Sequence, residues 1–273
     1  MRQLMQAYWY EARKSGLFLL AIGAAAVFGA LLALTILSHT AGEPFVGPDV
    51  PGEYLQTVAF IVAVLCGISS ERDFSRGAVR NKIPTGHTRT EIFWSSYIVN
   101  TLIAYAAAGL YLAIALSPCI ARDVLADPGA TAFNILSALP AVAGYTAMFS
   151  LVGILWPYKG IAVVNLVLLL ALLLTSNSLF NELQQGELYT PVTYVYVEGY
   201  GEVEATGAPI PNPHYVTEPL RSVYSFLNSF LPTGQTIQLA ADEVSQNLSL
   251  YSAGFCAVCW TVGILMLSRR NLQ

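Results

Sequence analysis

Apolar residues along most of this chain neither alternate nor recur at amphipathic spacing; they run on unbroken. Six stretches, 17–37, 54–70, 92–116, 131–156, 161–179 and 250–268, contain no Asp, Glu, Lys, Arg or His. A helix needs about 20 mostly apolar residues to cross a bilayer. Each stretch is therefore predicted to be a membrane span, the second being the shortest. Two other segments show helical periodicity with one apolar side. In 1–14, Leu4, Met5, Tyr8, Trp9 and Ala12 share a face, opposite Arg2, Gln6 and Arg13. Trp and Tyr favour the headgroup region, so this helix is expected to lie along the inner leaflet or to anchor the first span. In the long segment before the last span, Leu220, Val223, Tyr224, Leu227 and Phe230 repeat at helical spacing.

Charge orients these spans. Only 11% of the 273 residues are charged, against about 25% in an ordinary soluble domain. With a cytoplasmic N-terminus and six alternating spans, 11 of the 13 Lys and Arg lie inside and 13 of the 17 Asp and Glu outside, giving +7 and −11. An excess of Lys and Arg marks the cytoplasmic side, so both termini are expected there. The lack of cationic excess excludes a basic nucleic-acid binder. The fold class expected is an all-α integral membrane protein.

Breakers set the connections. Gly and Pro crowd the first outer loop, 38–53. Asp127-Pro128 reads as a cap and first-turn proline opening the fourth span, and Pro140 should kink it. The inner turn 156–160 makes spans four and five antiparallel neighbours. Segment 180–249 is acidic and too long for a simple linker. A strand or hairpin is expected at 191–201 and helices near 220–230 and 235–247, together a small external cap. Ala25 and Gly29, four apart, permit close helix packing.

The cytoplasmic loop 71–91 reads ERDFSRGAVRNKIPTGHTRTE and holds five of the 11 inner basic residues. Arg72, Arg76 and Arg80 would share one face of a short helix, with Asp73 paired to Arg76. Pro84-Thr85-Gly86 stops that helix. Thr88-x-x-Glu91 is a capping box that starts the third span near Arg89. On charge alone, such a loop satisfies topology and binds lipid phosphates. Its order, E…G-x-x-R-N-K-I-x-x-G-H-T-R, resembles the cytoplasmic loop of ABC-2 type transporter permeases. The likeness is to the bacterial bacitracin-resistance, lantibiotic-immunity and peptide-toxin exporter group. It extends over most of the chain: surface helix, six spans, this loop after span two, and an external segment between spans five and six.

The resemblance implies a single transmembrane domain, 1–273, in a bacterial plasma membrane. Two such chains, alike or different, would pair, each seated on a cytoplasmic ATPase subunit. It implies that loop 71–91 carries the coupling helix. The contact would then fall to Glu71, Arg72, Asp73, Phe74, Arg76, Arg80, Asn81, Lys82 and Arg89. It points to an amphipathic, peptide-like substrate.

The chain contains no G-x-x-x-x-G-K-[ST] loop, so ATP and Mg²⁺ are expected on the partner, with no cofactor or metal held here. Ion-coupled carriers usually place ionisable groups within their spans, and these six stretches have none. Asn100, Asn134 and Asn165 are the main polar groups there, expected to bond neighbouring helices or to line a substrate path. Cys256 and Cys259 spell C-x-x-C inside an apolar span, where packing suits them better than redox chemistry. The rival readings are a non-transporting immunity or receptor protein that binds its ligand through segment 180–249, and an ion-coupled carrier.

Overall fold

The computed structural model describes residues 1–38, 49–75, 78–122, 128–156, 158–184, 194–197, 201–204, 215–241 and 247–269. Six helices in it are long and apolar enough to cross a membrane. They are α2 (Leu17–Ser38), α3 (Asp49–Ser70), α5 (Arg89–Arg122), α6 (Pro128–Leu155), α7 (Ile161–Gln184) and α10 (Leu248–Arg269). Each predicted span lies within one of them, give or take a residue. Pro128 does open α6, while Asp127 falls outside the described residues. Helix α1 (Arg2–Lys14) precedes α2, and Gly16 makes the turn between them with a positive φ of 74°. A π-helical turn, Glu71–Ser75, continues α3, and the five-residue α4 (Ala78–Lys82) follows.

At the predicted hairpin, β1 (Tyr194–Val197) pairs antiparallel with β2 (Gly201–Glu204), Val195 opposite Val203. Helices α8 (Leu220–Phe230) and α9 (Pro232–Ala240) complete the chain before α10.

Lipid tails are as apolar as leucine, so spans associate by close packing and hydrogen bonds rather than by burial from water. Helix α3 is the centre, packing on α5, α6, α7 and α9. A Cβ added at Gly67 would lie 2.3 Å from the Ala162 Cα, so α3 and α7 touch backbone to backbone. The predicted Ala25/Gly29 stripe seats α2 on α5: Ala25 is buried, and a Cβ at Gly29 would stand 3.0 Å from the Tyr111 carbonyl oxygen. Helix α7 leaves the tight turn before Ile161 and packs mainly on α3 and α9. Its partner is thus α3 more than the antiparallel α6 expected from the shortness of that turn.

Around Pro140, three tyrosines donate to successive carbonyls along one strip of α6: Tyr54 to Ile135 (3.1 Å), Tyr105 to Leu139 (3.2 Å) and Tyr97 to Ala143 (3.3 Å). Each such bond in a membrane interior is worth about 0.6 kcal/mol.

Of the two helices described in segment 180–249, α9 does not lie on the surface. α9 packs among α3, α6 and α7, and Thr233, Gln235 and Thr236 are 2% exposed or less. Thr236 donates to the Pro232 carbonyl, so the Tyr145 hydroxyl donates to the Thr236 Oγ1 at 2.7 Å. Tyr145 stands about 25 Å along α6 from Pro128 at 1.5 Å per residue. Thr233 shares a 2.7 Å bond with Ser176, about 12 Å along α7 from its Gln184 end. Ser252 donates to Gln235 Oε1 at 2.6 Å, and Gln235 Nε2 donates to the Ser229 carbonyl at 2.8 Å. Helix α9 therefore re-enters the bundle, its polar side chains spent on α6, α7, α8 and α10.

Substituting Gly67→Leu should force α3 off α7. Overpacking costs about 1–3 kcal/mol even where side chains can adjust, and here the obstacle is backbone. Loss of monodisperse protein on size-exclusion chromatography in detergent is expected. Gly23→Leu, with nothing within 4 Å of the added Cβ, should elute as the parent does.

Candidate functional site at the basic end of the bundle

The loop 71–91, the foot of α1, the turn before α7 and the last turn of α10 meet at one end of the bundle. The Arg72 guanidinium donates to the Glu11 carbonyl (3.5 Å), and the Gly160 amide donates to a Glu71 carboxylate oxygen (3.3 Å). Arg89 Nη1 donates to the carbonyls of Leu267 and Ser268, both at 2.9 Å. Those carbonyls belong to the last turn of α10, which has no intrahelical donors left for them. A cation there also complements the helix dipole. The capping box closes as expected: the Thr88 amide donates to Glu91 Oε2 (3.1 Å) and the Glu91 amide to Thr88 Oγ1 (3.2 Å), and α5 begins at Arg89.

At the centre of this joint is Asp73, 3% exposed. Its carboxylate receives Lys82 Nζ at 2.9 Å, the Tyr8 hydroxyl at 3.0 Å and the Ser96 hydroxyl at 3.4 Å. The Lys82 ammonium also sits 3.6 Å from the Tyr8 ring centroid, where the ring face attracts a cation. Burial, and then the charge of Asp73, push the Tyr8 phenol well above its usual range. Tyr8 accordingly stays a hydrogen-bond donor at neutral pH. Two small cavities flank the carboxylate, about 10 Å³ beside Ser69 and Asn100 and about 20 Å³ beside Ser96 and Ser150. One ion pair thus joins α1, the end of α3, α4 and α5.

The structure separates the predicted site residues. Asp73 and Lys82 face inward and bind each other. Arg76, the expected partner of Asp73, lies outside the described residues, as do the side chains of Phe74, Arg80 and Asn81. A single α-helix from 72 to 82, which the alignment of the three arginines assumed, is not what forms: the first turn is π-helical. The span that begins at Glu53 also runs on to Asp73, so a carboxylate does lie buried at its foot.

The three asparagines do not converge. Asn100 borders the smaller cavity near Asp73. Asn165, fully buried near the start of α7, donates to the Ala63 carbonyl at 3.1 Å and pins α7 to α3. Asn134 is half-buried near the opposite end of α6. The four cysteines are free and buried. Helix α1 turns Leu4, Tyr8 and Ala12 onto the bundle instead of the leaflet, with Met5 and Trp9 packed beside them.

The Asp73–Lys82 bond was not legible because Asp73 has nearer cations in Arg72 and Arg76, and Lys82 stands equally far from Asp73 and Glu91. The sequence signal that could have raised it is Tyr8, placed in the middle of the apolar face of α1. No family profile matches this chain, and no curated protein is significantly similar to it.

Removing one member of a buried ion pair costs about 3–5 kcal/mol, whereas replacing both is often nearly neutral. Lys82→Met should therefore lower the thermal midpoint of the detergent-solubilised protein markedly. Adding Asp73→Asn to it should restore most of the loss, as read by fluorescence-detected melting.

Proposed function

We propose that this chain is the membrane-spanning subunit of an ATP-driven exporter, powered by a separate ATPase that docks on the basic end. The observation that carries the reading is the Asp73-centred joint. A push on the short segment 71–82 reaches α1 through Tyr8, α5 through Ser96, and α3 directly. Arg89 extends the connection to α10. A segment braced at its base by α1, α3 and α5, with α10 tied on through Arg89, suits a lever better than a lipid-binding loop, which needs only loose cations. Arg76, Arg80 and the other polar residues of 72–82 are the contact, and Asp73 with Lys82 transmits rather than touches. ATP and Mg²⁺ belong to the partner.

This reading places the basic end in the cytoplasm of a bacterial cell and pairs two chains in the membrane. Binding of ATP closes the ATPase dimer, and the closed dimer favours one of two arrangements of the bundle. Substrate is an amphipathic molecule of peptide type, in keeping with spans that carry no charge between their ends.

A direct test uses a P-loop ATPase encoded beside this chain, co-purified and reconstituted with it. Arg76→Glu combined with Arg80→Glu should reduce association and lower transport-coupled ATP hydrolysis at least tenfold, with the melting temperature of the permease unchanged. Undiminished association and hydrolysis in that variant would overturn the docking assignment.

A further inference from the structure

At the end of the bundle opposite loop 71–91, a cavity of about 750 Å³ opens between α7, α8, α9 and α10. That is the size of a small-molecule site. Its polar lining includes Glu218, Arg221, Ser225, Asn228 and Gln238, and its apolar wall includes Tyr251. Arg221 is one of only two basic residues that the sequence places on the acidic side. It is held in place: Nη2 donates to the Leu183 carbonyl at the end of α7 (3.1 Å), and the guanidinium lies 5.2 Å from the Tyr215 ring centroid. Its Nη1 is buried without a hydrogen-bond acceptor among the described residues, and Asn228 Oδ1, packed against Gly234 on a residue 2% exposed, is without a donor. Buried polar atoms are rarely left so. Arg221 forms no ion pair with Glu218 among the described residues. The Glu218 carboxylate instead accepts from the Ser222 amide (3.3 Å) and hydroxyl (2.5 Å).

The same helix presents Leu220, Val223 and Phe226 uncovered, each about half exposed. A fixed cation, a carboxylate and an apolar strip therefore adjoin one another where α7 ends and α10 begins.

We infer that this cavity is a binding site for a membrane amphiphile whose head group joins an oxyanion to hydroxyls. The oxyanion lies against Arg221, whose planar fork suits such a group. Hydroxyls donate to Glu218, and the chain leaves along Leu220, Val223 and Phe226. The site is independent of ATPase docking at the far end and stands or falls separately from it.

The test is native mass spectrometry of the full chain in detergent, titrated with dioctanoyl phosphatidylglycerol, dioctanoyl phosphatidylcholine and sn-glycerol 3-phosphate. Saturable binding of the first is expected, at least tenfold tighter than of either other. Arg221→Gln should weaken it at least tenfold and Arg269→Gln should not. Because Arg221 also holds the end of α7, Ser225→Trp is the second variant. It fills the cavity from an exposed position one helical turn beyond the arginine and leaves the guanidinium itself in the chain, and it should weaken binding as much. Equal affinity for phosphatidylcholine would overturn the oxyanion, and equal affinity for glycerol phosphate the amphiphile. Unchanged affinity in Ser225→Trp would overturn the cavity itself, whether or not Arg221→Gln folds.

Discussion

Hydrocarbon offers a polar group no partner, and tyrosine, asparagine, serine and threonine side chains of the spans and of α9 reach across helices to find one. Three α6 carbonyls beside Pro140 receive tyrosine hydroxyls from α3 and α5. Asn165 of α7 spends its amide on α3. Helix α9 carries two threonines and two glutamines into the bundle, and Tyr145, Ser176, Ser252 and Ser229 bind all four of them. These bonds are individually weak. Their effect is directional, because they say which helix faces which, something apolar surfaces in lipid do poorly.

The same constraint explains the basic end. A carboxylate and an ammonium cannot be buried singly at the foot of a span, so Asp73 and Lys82 are buried together, with hydroxyls of Tyr8 and Ser96 completing the shell. Helix α1 is recruited for its tyrosine as much as for its apolar face. Both long connections therefore make polar joints rather than greasy ones, one at the basic end of the bundle and one within it.

What the sequence revealed follows the range of each interaction. Spans were legible to within a few residues, because length and the absence of charge are local properties. The capping box was legible for the same reason, since Thr88 and Glu91 are three apart. The hairpin at Tyr194–Glu204 announced itself by β-branched and aromatic residues around a glycine turn. The burial of α9 was hidden: Thr233 and Thr236 read as surface residues, and their partners lie 57 and 91 positions away. The inward turn of Asp73 was hidden by the π-helical turn. That turn changes which residues share a face, and no composition rule signals it.

The re-entry of α9 also bears on the order in which the molecule is put together. A segment with Thr233, Gln235, Thr236 and Gln238 is not apolar enough to partition into lipid by itself. Its resting place is built from α3, α6 and α7, which precede it in the chain, and is closed by Ser252 on α10, which follows. During synthesis α9 therefore finds its site only once α3, α6 and α7 are in place, and Ser252 of α10 closes onto Gln235 afterwards. The last contact made is near the middle of the molecule rather than at its end. Failure of α10 to insert would leave that closure unmade and Gln235 Oε1 without its donor.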